Sequence, residues 1–332
     1  MALKTPAEYV ESLRDGRVLY WDGDRIDDVA KDARFRVPLA VAARDYDYDD
    51  PRRRELTTYV TEEGTRAHRV FQIPRSEEDL QKRIELAKQM SIVGGVTGVY
   101  MALQSVKDEV AAVNPQYAEN IENLWRYARD NDLRAAEVIT DAKGDRSRRA
   151  HQQDDPDLYL RIVDRNDRGI VVRGAKLHIT GAALVHELVV MPTKSMRHEE
   201  ADYAVSFSIP TNAPGVKIIN RSFAPADQPE FDYPASAHHS MPEGFVIFDD
   251  VFVPWERGQP RRRPYKFGMP VNMLLFRQRT GSGFVHVAKP RNLTRTLRSD
   301  SDDCADRQLR QFHLEPVSLL EPVGCDGRSS PQ

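Results

Sequence analysis

The residues of this chain that can do chemistry gather in four stretches. Asp141-Ala142-Lys143-Gly144-Asp145-Arg146-Ser147 packs two carboxylates, two cations and a glycine into seven residues. A glycine-containing loop with Lys and Arg can hold a phosphate or the polar edge of a flavin; a charged surface turn has the same composition. His151-Gln152-Gln153-Asp154-Asp155-Pro156-Asp157 is an acidic loop with a single His. That is too sparse for a metal site, and it either orients a substrate or caps the next strand. In His178-Ile179-Thr180-Gly181-Ala182-Ala183, small residues would let a planar ring lie against the backbone, with Thr180 donating a hydrogen bond to it. A tight turn at a barrel rim reads the same way. Glu243 stands before a long apolar run, where an acid can act as a general base if its pKa is raised, or is simply solvated. His178 and His186, eight apart across a break, do not read as a metal pair, and His238-His239 lies in a Pro/Ser loop.

The elements that must position these residues fall into two blocks. Thr5 is a plausible N-cap with Pro6 at the first helical position. Asp22-Gly23 marks a turn, and Ser76 with Asp79 gives a capping-box-like start. Leu80, Ile84, Leu86, Met90 and Val93 form a broad helical face, interrupted by Gly94, Gly95 and Gly98. Asn114-Pro115 opens a helix striped by Ile121, Leu124, Trp125 and Ala128. The first 130 residues therefore read as mostly helical. The period then becomes strand-like over 136–140, 158–163, 169–179, 184–191, 203–209, 216–220 and 245–253, with Asn166-Asp167-Arg168-Gly169 as a hairpin loop. Helices followed by a β-block make an α+β fold with a β-barrel or sandwich. No GxGxxG, P-loop or GxSxG is present.

Composition narrows the function classes. The chain has 332 residues with 48 Lys plus Arg and 51 Asp plus Glu, a net charge of -3, which gives no reason to expect a nucleic-acid partner. Mean hydropathy is -0.59, no apolar run approaches the roughly 20 residues of a membrane span, and the N-terminus lacks the pattern of a secretory signal. A cytoplasmic protein is expected. The charge is uneven: residues 1–256 carry 34 basic and 44 acidic side chains, and residues 257–332 carry 14 basic and 7 acidic ones. The two cysteines, Cys304 and Cys325, both lie in the basic part, which excludes a disulfide framework and a Cys-held metal site. No metal is expected.

Together these segments resemble the family that contains the oxygenase component of 4-hydroxyphenylacetate 3-hydroxylase and 4-hydroxybutyryl-CoA dehydratase. The resemblance rests on Tyr9 with Ser12-Leu13-Arg14-Asp15-Gly16-Arg17, Thr140-Asp141-Ala142-Lys143-Gly144-Asp145-Arg146-Ser147 and Gln153-Asp154-Asp155-Pro156-Asp157-Leu158-Tyr159. Gly169-Ile170-Val171-Val172-Arg173-Gly174-Ala175-Lys176 and Val246-Ile247-Phe248-Asp249-Asp250-Val251-Phe252-Val253-Pro254-Trp255-Glu256-Arg257 complete it. It implies an acyl-CoA-dehydrogenase-like fold, with an N-terminal helical domain (1–134), a middle β-barrel domain (135–257) and a C-terminal bundle. Residues 258–332 match no such bundle and read as an aperiodic basic tail, disordered or frame-shifted. The resemblance also implies FAD, reduced by a separate flavin reductase, which with O2 hydroxylates a small aromatic substrate beside a phenol hydroxyl. A homo-oligomer is implied if the bundle is present.

The same resemblance assigns residues. Lys143, Gly144, Asp145, Arg146 and Thr180 match cofactor-contacting positions, and Tyr100 and Thr193 match substrate-contacting ones. His151 and Glu243 remain the candidate catalytic groups. The hydroxylase's substrate Arg falls at Gly95 or Val96 and its phenol-contacting His at Glu137, so 4-hydroxyphenylacetate itself is not the expected substrate. The wording of the motifs is closer to the dehydratase branch, but two of that branch's cluster cysteines fall near Ile92 and Val96. Without thiolates no iron–sulfur cluster is expected, which favours the monooxygenase over a cluster-free relative acting on an acyl-CoA. A non-catalytic fragment is the third reading.

Overall fold

The computed structural model describes residues 3–257 apart from Lys143, Ser195 and 222–228. The tail expected over 258–332, with both cysteines, lies outside the described residues. Helices come first: α1 Pro6–Ser12, α2 Arg36–Ala43, α3 Pro51–Thr57, α4 Glu77–Ala87, α5 Ile92–Val96, α6 Val99–Ser105, α7 Lys107–Ala111 and α8 Pro115–Asp130, with α9 Pro234–His239 later. The expected caps are in place. Thr5 and Glu8 form a capping box on α1, Ser76 accepts from Asp79 N on α4, and Asn114 caps α8 ahead of Pro115. Of the α8 stripe, Ile121, Trp125 and Ala128 are buried, and the Trp125 indole donates to Phe71 O at 3.1 Å. The expected long face after Ser76 breaks instead. Its helix ends at Ala87, and a new short helix starts behind the Ser91 cap.

The strands are β1 Val18–Trp21, β2 Asp24–Ile26, β3 Thr58–Val60, β4 Arg66–His68, β5 Ala135–Val138, β6 Arg161–Arg165, β7 Gly169–Thr180, β8 Glu187–Val190, β9 Phe207–Pro210, β10 Val216–Arg221 and β11 Glu243–Pro254. Each strand expected after residue 135 is present. They form a six-stranded sheet, β2-β1-β10-β11-β7-β6, and a three-stranded sheet, β5-β8-β9, joined by an isolated bridge between Asp141 and Lys176. The N-terminal block is less purely helical than its sequence suggests. Asp22 and Gly23 take positive φ (51° and 92°) and turn β1 back onto β2, and β1 runs parallel to β10.

Two apolar clusters follow from this arrangement. The larger joins Tyr9, Leu13 and Phe35 of the helical block to Ile170, Ile218, Val246 and Phe248 of the six-stranded sheet. The smaller joins Phe71, Tyr100, Ile121 and Trp125 to Ala135 and Val189 of the three-stranded one and to Met191 just beyond it. Among the described residues no helix is long and apolar enough to cross a membrane.

Gly174 marks where the chain before β6 crosses β7. It sits at φ 135°, and a Cβ there would fall 2.6 Å from Leu160 Cα and 2.8 Å from Tyr159 O. Both are backbone atoms that cannot rotate away. Gly174→Ala is expected to cost about 3 kcal/mol or more, from overpacking and a strained φ together. Urea unfolding would show it; an unchanged midpoint would contradict the packing.

Candidate functional site

The long β7–β11 ladder brings two expected residues together. Its register places Thr180 opposite Glu243, and Thr180 Oγ1 donates to Glu243 Oε1 at 2.8 Å. A carboxylate only accepts, so the hydroxyl proton is committed to Glu243 and the lone pairs of Oγ1 remain for a ligand. Thr180 is thus set as an acceptor, opposite to the donor role expected of it. Gly181 follows at φ 69°, where a Cβ would fall 3.1 Å from Val93 Cγ2 of α5 and 3.6 Å from Met241 Sδ. On α5, Ile92 is 43% exposed and Gly95 faces open space.

The loop after β5 is held from behind and open in front. Lys143 lies outside the described residues. Gly144 abuts the Gln153 amide. The Gln153 side chain accepts from Asp145 N at 2.9 Å and donates to Asp145 O at 2.8 Å and Arg148 O at 3.3 Å. Asp145 is exposed; its carboxylate pairs with Arg148 at 3.3 Å and accepts from the Ser147 hydroxyl and backbone N–H at 2.7 and 2.9 Å, which hold it below its usual range. Among the described residues of this loop, the Arg146 guanidinium is an exposed cation without a carboxylate partner.

The other expected residues lie elsewhere. Thr193 is engaged by the fold: its hydroxyl donates to Ile139 O at 2.5 Å and accepts from Asp141 N at 2.9 Å. His151 is exposed in a short helical turn. Tyr100 is fully buried in the smaller cluster, against Phe71 at 5.7 Å, whereas Ile179, next to Thr180, belongs to the larger. Among the described residues the Tyr100 hydroxyl has no hydrogen-bond partner. Burial pushes it far above its usual range, with Glu187 adding to the shift and Arg257 opposing it. Beside this region an apolar cleft of about 280 Å³ opens between α8 and β8–β9, lined by Leu103, Ile121, Leu124, Tyr127, Met191 and Phe207. The chain leaves the described region at its rim, where Arg257 pairs with buried Glu187 at 2.9 Å and accepts from Ser208 N at 3.0 Å. Burial pushes the Glu187 carboxyl up, against the pull of Arg257. No group of three or more His, Cys, Asp or Glu among the described residues is arranged to hold a metal ion.

A family model described as 4-hydroxyphenylacetate 3-hydroxylase N terminal matches residues 5–257. The chain belongs to the 4-hydroxyphenylacetate 3-hydroxylase family. It is 33% identical over 261 residues to the 4-hydroxyphenylacetate 3-monooxygenase oxygenase component of Thermus thermophilus, covering 76% of this chain and 54% of that protein. It is also 33% identical over 270 residues to the 4-hydroxybutyryl-CoA dehydratase/vinylacetyl-CoA-Delta-isomerase of Clostridium aminobutyricum, covering 77% and 55%. The solved 4-hydroxyphenylacetate 3-monooxygenase oxygenase component complexed with FAD superposes with a TM-score of 0.71 at 31% identity, over 82% of this chain and 57% of that one. The oxygen-tolerant archaeal 4-hydroxybutyryl-CoA dehydratase from N. maritimus superposes with a TM-score of 0.72 at 25% identity, over 83% and 57%. The α+β, acyl-CoA-dehydrogenase-like fold expected from the motifs is therefore the one observed. The chain spans about half the length of the curated relatives it matches.

Two groups that brace the loop after β5 carry no recognisable signal of their own. Lys176 occupies an inward position of β7 and pairs with buried Asp141 at 2.6 Å. Burial lowers its pKa, and Asp141 opposes that shift. Glu200, fully buried, receives Arg149 Nη1 at 2.8 Å and Ala150 N at 3.1 Å. The alternation of β7 marks position 176 as inward-facing, but only the fold shows which acceptors meet the lysine there.

Proposed function

We propose that this chain is part of the oxygenase component of a two-component flavin-dependent monooxygenase. In this reading it takes reduced FAD from a separate flavin reductase and hydroxylates a small phenolic ring with O2. The observation that carries the reading is the Thr180–Glu243 pair at the end of the β7–β11 ladder. The likeness to an FAD-complexed oxygenase component supports it. Aliphatic Ile92 and Val96, at the positions the family resemblance gives to dehydratase thiolates, favour hydroxylation over cluster-dependent dehydration.

The residues present fit a flavin. Thr180 offers an acceptor beside small residues, Gly95 leaves open space, and Arg146 offers an exposed guanidinium, without an ion pair among the described residues, for a phosphate or a ring edge. Bound there, reduced FAD supplies the two electrons that let one oxygen atom enter the ring beside the phenol hydroxyl while the other leaves as water. Glu243 fixes the rotor of the Thr180 hydroxyl, so that a ring N–H meets lone pairs rather than a competing proton. Tyr100, with its buried unpaired hydroxyl, is the candidate to meet the substrate hydroxyl, and the apolar walls around it exclude water.

Titration of the purified chain with oxidised and reduced FAD tests this. Binding is expected, and Thr180→Val is expected to weaken it about tenfold, the size of one lost hydrogen bond. A chain that binds neither redox form would overturn the reading. Turnover of hydroxyacyl-CoA esters without O2 would move the assignment to the acyl-CoA branch.

A further inference from the structure

We infer that Lys176 is a positioning residue that sets the pose of loop 144–149, and through it the site proposed for FAD; the second half of this inference rests on the function proposed above. Lys176 projects from β7, in the six-stranded sheet, across to the point where the chain leaves β5 of the other sheet. All three of its ammonium hydrogens have an acceptor: Asp141 Oδ1 at 2.6 Å, Ile139 O at 2.9 Å and Met191 O at 3.0 Å. Ile139 and Met191 follow directly on the ends of β5 and β8. The ammonium thus ties both strand ends to β7 just ahead of the loop.

Neighbouring bonds fix the same point. Leu177 N donates to Thr140 O at 2.7 Å, and the Thr193 hydroxyl clamps Asp141 N and Ile139 O. Beyond the anchor, Gln153 grips Asp145 from behind. Lys176 thus anchors the backbone at Asp141, and Gln153 anchors it again at Asp145, next to Arg146.

Stability alone is a poor reason for this arrangement. Burying an ammonium and a carboxylate carries a desolvation cost that their attraction barely offsets, and an apolar pair of similar volume is often as stable or more so. Position 176 alternates with buried Val172 and Gly174 on the inward face of β7, where an aliphatic side chain would satisfy the pattern. An aliphatic side chain cannot bind three oxygens from two strand ends.

The test compares the ligand-free protein with K176M and with the charge-free double variant D141N/K176M. Amide hydrogen exchange is followed at 144–149 and, as an internal reference, in β7. The double variant is expected to keep β7 protection while the loop amides exchange about tenfold faster relative to it, with trypsin cutting after Arg146 correspondingly sooner. FAD affinity is expected to fall with loop protection. A double variant whose loop-to-β7 exchange ratio matches wild type would overturn the inference and leave the pair a purely structural contact. K176M alone, which strands Asp141, is expected to lose stability and loop order together. If the wild-type chain binds no FAD, the proposed function fails, and the exchange ratio still decides the role of Lys176 in the loop.

Discussion

Asp132→Asn is expected to destabilise this protein by about 3–5 kcal/mol, the cost of leaving a buried charge without its partner. Arg134 is fully buried and Asp132 is 2% exposed, with Arg134 Nη1 to Asp132 Oδ1 at 2.8 Å. The second carboxylate oxygen of Asp132 accepts from Tyr48 Oη and from Lys4 N, both at 3.2 Å. Among the described residues Arg134 Nε and Nη2 have no hydrogen-bond partner, and the guanidinium carbon lies 4.2 Å over the Tyr46 ring, which itself stacks on Tyr9 at 4.4 Å. One carboxylate thus holds a cation against a stacked aromatic pair. Asp45, whose charge also acts on Arg134, is committed to Ser91 N and Oγ, and burial pushes its carboxyl upward. Asn suits the left-handed backbone at position 132, where φ is 47°, so the variant removes charge with little change of shape. Against a total stability of about 5–15 kcal/mol the loss is large, and urea unfolding would show it directly. D132N/R134M is expected to recover more than half of it. A D132N midpoint equal to wild type would mean that Asp132 does not carry this cation.

What the sequence reveals of this fold follows the range of the interactions. Helix caps and strand alternation are local, so Thr5, Ser76, Asn114 and the strands after residue 135 are legible in it. β1 is four residues long and pairs in parallel with a strand about 200 residues later; nothing within its own window distinguishes Val18-Leu19-Tyr20-Trp21 from a loop beside the Asp22-Gly23 turn. The candidate site divides the same way. Thr180 and Glu243 are each visible as residues next to turns, but their contact depends on the register of two twelve-residue strands. The direction of the Thr180 proton follows from that register and not from its neighbours in sequence. Lys176 is the extreme case, a charge inside an apolar alternation whose three acceptors come from two segments distant from it in sequence.

Stability is also expected to fall as the pH drops below about 6.5, the ordinary histidine value, because His68 and His186 are buried as neutral rings. His68 Nδ1 accepts from Val70 N at 3.1 Å, so its proton sits on Nε2. His186 Nδ1 accepts from Arg134 N at 3.0 Å, which places its proton on Nε2, 2.8 Å from Ser12 Oγ. In both rings the second proton would have to displace a backbone N–H. Burial is the main cause that holds both pKa values well below the usual range. Arg134, Arg83, Arg53 and Arg69 add to it at His68, and Arg17, Lys4 and Arg134 at His186. The unfolded chain takes up a proton on each ring near pH 6.5 while the folded chain does not, so protonation favours unfolding. The stability is whole above that pH and is lost progressively toward the depressed folded values. With both rings contributing, the slope reaches at most about 2.7 kcal/mol per pH unit. Asp45 and Glu187, whose carboxyls burial pushes up, act in the opposite sense, so the histidine share is read from variants. His186→Gln keeps an acceptor for Arg134 N and a donor for Ser12 but cannot titrate, and with His68→Gln it is expected to flatten urea midpoints measured between pH 7.5 and 5.5. A double variant with the wild-type slope would assign the acid sensitivity to other groups.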